Sequence, residues 1–75
     1  MEQVIQEFFS SSKNYKVQII RRRDGLYTTE AYRWMEDCGY EFWSYISQGL
    51  TLIDSEEHAR NIAMEQLKEC SRDEF

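Results

Sequence analysis

The stretch Asp54–Cys70, DSEEHARNIAMEQLKEC, decides how the fold is read. Asp54 followed three residues later by Glu57 has the form of a capping box, in which an acceptor side chain and a carboxylate satisfy the free amides of a first helical turn. Ala59, Ile62, Ala63, Gln66, Leu67 and Cys70 then recur at helical spacing, bounded by Glu56, Glu57, Arg60, Asn61, Glu65, Lys68 and Glu69. One face is dry and the other solvated. Ala59 and Ala63, one turn apart, leave little bulk, so this helix is expected to lie close over a sheet of large side chains.

Immediately upstream, Leu50–Ile53 leads into the helix, with Leu52 or Ile53 placed as a hydrophobic staple before the Asp54 cap. Tyr15–Arg22 alternates Tyr15, Val17 and Ile19 against Lys16, Gln18 and Ile20, the period of a half-buried strand. Asp24-Gly25 is a hairpin signal, read as a tight primed turn with positive φ at both residues. A second strand is expected over Leu26–Met35, a turn over Glu36–Gly39, and a third strand over Tyr40–Ser47, closed by Gln48-Gly49. At the start of the chain, Val4, Ile5, Phe8 and Phe9 recur at i, i+1, i+4 and i+5 among Glu2, Gln3, Gln6 and Glu7. That spacing predicts a short amphipathic helix within residues 1–10, too short to stand alone and therefore docked. Ser10–Asn14 reads as a connector and 71–75 as a tail. The expected fold class is α+β in the order α-β-β-β-α, one small domain with a three-stranded antiparallel meander between two helices.

This order, with Ala59, Ala63 and Leu67 in the last helix, resembles the layout of the double-stranded-RNA-binding domain. The resemblance implies layout and packing only. In that family the last helix opens on lysines that grip phosphates, whereas the matching stretch here is Asp54, Ser55, Glu56 and Glu57.

Seventy-five residues make one domain that buries about 60–65% of its unfolded surface, which leaves no room for a large buried cleft. Fourteen acids against nine Lys plus Arg give a formal charge of −5, which repels nucleic acid at long range. Cys38 and Cys70 match neither a zinc nor a redox CxxC spacing and are expected to be reduced thiols in a cytoplasm. No segment has the length and apolarity of a membrane span, and the start lacks a signal-peptide pattern. No phosphate loop, G-x-S-x-G elbow or dinucleotide fingerprint occurs, and His58 beside Glu57 offers too few ligands for a closed metal site. No catalytic residue, metal, cofactor, small-molecule substrate or membrane is expected.

The expected function is that of a non-catalytic protein-interaction module, because the second and third strands carry large side chains on both faces and one helix cannot cover both. Trp34, Trp43, Tyr32 and Tyr45, with Phe8 and Phe9, form the expected aromatic surface, and Glu56 and Glu57 an acidic one. The implied partner is another protein or a second copy in a symmetric homodimer. Charge supplies two alternatives. Lys13, Lys16, Arg21, Arg22, Arg23 and Arg33 gather in the first hairpin, while residues 54–75 hold seven acids against Arg60, Lys68 and Arg72. An acidic helix could block a nucleic-acid-binding protein, and Arg21, Arg22 and Arg23 could contact phosphate directly.

Overall fold

In the computed structural model, which describes residues 2–49 and 52–72, four strands precede one helix. They are β1 (Gln3–Phe9), β2 (Tyr15–Arg21), β3 (Tyr27–Asp37), β4 (Tyr40–Gln48) and α1 (Glu56–Cys70). The strands pair antiparallel in the order β1-β2-β3-β4, and α1 lies over β1, β2 and β3. Leu50, Thr51 and the tail residues 73–75, including Asp73 and Glu74, fall outside the described residues.

The expected N-terminal helix and three-stranded α-β-β-β-α order are therefore corrected: residues 3–9 form an edge strand, and the sheet has four strands. The layout shared with the double-stranded-RNA-binding domain loses its first helix with them. The spacing misled because β1 is bulged between Val4 and Gln6, which shifts the side-chain phase and lets both Ile5 and Phe8 reach the helix side. Two β-branched and two aromatic residues favour an extended chain, and pairing with β2 satisfies amides that a two-turn helix would leave open. Val4 and Phe9 stay about half exposed.

The core is a layer of Val17, Ile19, Ala31 and Ile53 under Ala59, Ala63 and Leu67, with Ile5, Phe8, Tyr15, Tyr27, Ile62 and Cys70 around its rim. Ile62, on the expected stripe, is only half buried. The alanines permit the close approach anticipated for them. The helix begins one residue later than the Asp54 reading: Ser55 is the cap, its Oγ accepting from the His58 amide at 3.1 Å, and Asp54 instead sets Oδ1 3.4 Å from His58 Nδ1. At the far end Ser71 replaces a glycine cap, its amide and Oγ both donating to the Leu67 carbonyl. Of the two staple candidates Ile53 is buried and Leu52 exposed, and Ile53 is tied to β3 through Tyr27 by two backbone bonds of 2.8 and 3.0 Å.

The primed turn expected at Asp24-Gly25 is found instead at the hairpin between β3 and β4, for which only a turn was expected. Between β2 and β3 only Gly25 takes positive φ (84°), and the Arg22 amide donates to the Leu26 carbonyl, leaving a three-residue loop with a glycine bulge rather than a primed turn. The primed turn is Cys38-Gly39, with φ of 51° and 83°, between the paired Asp37 and Tyr40. Cysteine is strained in the left-handed region, where asparagine is tolerated. Cys38→Asn is accordingly expected to stabilise the fold by about 0.5–1 kcal/mol, read as a higher urea midpoint at unchanged slope.

Candidate functional site: the open face of the sheet

The helix covers one face of the sheet, and strand alternation decides what the other presents. Register places Glu7 and Phe9 of β1, Lys16, Gln18 and Ile20 of β2, Thr28, Glu30, Tyr32 and Trp34 of β3, and Trp43 and Tyr45 of β4 on the uncovered side. Trp34 lies opposite Trp43 and Tyr32 opposite Tyr45. The rings meet edge to face at 5.1 and 5.8 Å between centroids, and Phe9 reaches Trp43 from β1 at 6.0 Å. Such pairs contribute about 0.5–1.5 kcal/mol each beyond their area.

Lys16 sits at the centre of this surface. Its Nζ lies 4.5 Å from the Trp43 ring centre and 5.4 Å from that of Tyr32, and it donates to Glu7 Oε2 at 3.1 Å. Gln18 Nε2 donates to the same oxygen at 2.8 Å. Those bonds, Gln18's first and Lys16's second, hold the Glu7 carboxyl below its ordinary value against its partial burial. Tyr32 donates to Glu30 Oε2 at 2.6 Å; burial first, then that bond and the charges of Glu30 and Tyr45, push its phenol up to about 12. Tyr32 is therefore a neutral donor at physiological pH. Beside the cluster, Phe9, Lys13, Asn14, Trp34 and Trp43 line an open concavity of about 500 Å³. The connector shapes it: Lys13 takes φ of 64°, and the Asn14 carbonyl accepts from the Trp34 amide at 2.7 Å.

Of the residues singled out in the sequence, Trp43, Tyr45, Trp34, Tyr32 and Phe9 come together here. Phe8 does not, since it points to the opposite side and packs on the core. Glu56 and Glu57 are exposed in the first turn of α1, where carboxylates complement the helix dipole. Arg21, Arg22 and Arg23 lie where β2 enters its hairpin, Arg22 paired with Asp24 at 3.2 Å, and do not join the aromatic cluster. Sequence reasoning grouped Lys13 and Lys16 with those arginines. The alternation that places Lys16 on the face away from Val17 and Ile19 was the signal tying it to the aromatics. Nothing in the sequence marked Asn14.

Among the described residues no three His, Cys, Asp or Glu side chains gather as metal ligands, and no helix is long and apolar enough to cross a membrane. Cys38 is exposed, and Cys70 is half-buried with its Sγ donating to the Leu67 carbonyl at 3.4 Å. No protein-family model matches this chain, and no curated protein or solved structure matches it significantly.

Proposed function

We propose that the chain is a small non-catalytic interaction module that binds another protein through the open face of its sheet, in a reducing, cytoplasmic setting suited to its sparse cysteines. The observation that carries the reading is the grouping of Phe9, Tyr32, Trp34, Trp43 and Tyr45 around Lys16 on a sheet face that no helix covers. Aromatic side chains present large area at low entropic cost, and a centre of this kind is what interaction hot spots are made of.

The test begins with a photo-reactive phenylalanine analogue placed at Tyr45, or at Glu57 on the helix, and irradiated in the cell of origin. A protein captured from position 45 should then lose affinity by about thirtyfold with Trp43→Ala, some 2 kcal/mol, and by less than about fivefold with Glu57→Ala, folding being checked for each. Capture from position 57 alone, with loss only in the glutamate variant, replaces the aromatic face by the acidic helix and favours the reading as a blocker of nucleic-acid-binding proteins. Salt-sensitive binding of RNA or DNA that an Arg21/Arg22/Arg23 triple alanine variant abolishes would favour the third reading.

A further inference from the structure

The exposed edge of β4 is a second surface, distinct from the open face. On β3, the Tyr27 amide donates toward Ile53 and the Trp34 amide toward Asn14, on opposite sides of the strand. Bonding direction alternates along a strand, so odd-numbered β3 residues bond toward β4 and even-numbered ones toward β2. The bonded pairs across β3 and β4 are then Arg33 with Ser44 and Met35 with Phe42. The pairs Glu36 with Glu41, Trp34 with Trp43 and Tyr32 with Tyr45 are the non-bonded ones. The amides and carbonyls of Glu41, Trp43 and Tyr45 consequently point outward from the sheet.

This edge lacks the usual protection. Tyr40–Gln48 contains no proline or lysine and one charge, Glu41, and its only bulge lies beyond Tyr45, leaving Tyr40–Tyr45 regular. Edge strand β1 differs, being bulged in its middle and overlaid by α1, which does not reach across β4. Four of the eight large hydrophobics most exposed among the described residues, Tyr40, Phe42, Tyr45 and Ile46, belong to β4.

The geometry points to a second copy of this chain as the occupant, its β4 pairing antiparallel with this one across a two-fold axis at Trp43, so that two four-stranded sheets become one of eight. In that register Trp43 meets the partner's Trp43, Glu41 meets the partner's Tyr45, Phe42 the partner's Ser44 and Tyr40 the partner's Ile46. The single carboxylate never faces its own copy, and all four exposed apolar side chains enter the seam. The outward groups of Glu41, Trp43 and Tyr45 are those an antiparallel neighbour would bond. The interface is closed and isologous, and it sets the two open faces side by side, with Trp43 and Tyr45 of each at the seam.

Sedimentation equilibrium from about 1 µM to about 1 mM, the range in which micromolar pairing is visible, tests this together with amide exchange. The expected result is a dimer in which the amides of Glu41, Trp43 and Tyr45 exchange about tenfold or more slower than at dilution. Glu41→Pro removes one outward donor and leaves the β3 bonds intact, and Tyr45→Lys puts a charge in the seam. Each should weaken pairing by about tenfold or more, with near-native circular dichroism; should Glu41→Pro fail to fold, Tyr45→Lys decides. A monomer throughout the range overturns self-pairing and leaves the edge to an extended segment of another protein. A dimer with unprotected edge amides, or a folded Tyr45→Lys variant that pairs as tightly as the parent, also overturns it.

Discussion

Ile53→Ala is expected to lower the free energy of unfolding by about 2–5 kcal/mol, while Leu52→Ala next to it changes stability by less than about 0.5 kcal/mol. The two side chains are adjacent in sequence and alike in size, but Ile53 is 1% exposed and Leu52 67%. Ile53 stands outside the strands and the helix, yet two backbone bonds to Tyr27 clamp it beside β3 and hold its side chain in the layer with Val17, Ile19, Ala59 and Ala63. Truncation would leave a cavity beneath a helix that the flanking backbone holds in place, so the site can collapse only partly. For a chain of this length such a cost is a large share of total stability. Urea denaturation of both variants checks it. Equal midpoints would show that Ile53 is not a core residue and that the lead-in to α1 is packed differently.

The pairing of Ile53 with Tyr27 also shows what was and was not legible in the sequence. Alternation in β2 and the 3.6-residue stripe of α1 could be read because each sets an apolar face against a polar one: Val17 and Ile19 inward with Lys16 and Gln18 outward, and Ala59, Ala63 and Leu67 inward. The aromatic surface followed from the same alternation, since Trp43 and Phe42, being neighbours, cannot share a face. β1 could not be read this way. Its bulge puts Ile5 and Phe8 on one side at a spacing of three, a helical interval, and only the β2 register shows that Phe8 and Phe9 part company. Turn chemistry misled for a related reason. Asp24-Gly25 has a residue pair suited to a primed turn, but Arg22 and Leu26 close a longer loop, while Cys38-Gly39 adopts the primed form with a poorer first residue because Asp37 and Tyr40 are already paired. In each case strand pairing outweighed what the residue spacing or the turn dipeptide alone suggested.

Gly49→Ala is expected to cost about 1–3 kcal/mol, or more, by overpacking rather than by backbone strain. Gly49 follows β4 at the point where the sheet meets α1; its amide donates to the Thr29 carbonyl at 2.8 Å. A methyl group there would run into Thr29 Oγ1 and come within 2.9 Å of Gln66 Oε1. Those two atoms are bonded to each other at 2.6 Å, linking the buried side of β3 to the helix, and Gln66 Nε2 lies within 3.4 Å of Ser47 Oγ. An added carbon therefore displaces Thr29, whose side chain is fully buried, or drives Gln66 off its partners. Either loosens the junction of sheet and helix. The mechanism has a signature that simple loss of helix or strand propensity lacks, because Thr29→Ala removes the atom in the way. Thr29→Ala alone should destabilise by about 1–2 kcal/mol through the lost bond, yet in the double variant Gly49→Ala should cost less than it does in the parent. A coupling of about 0.5–3 kcal/mol in a four-member cycle of urea midpoints would bear the collision out, and strictly additive losses would refute it.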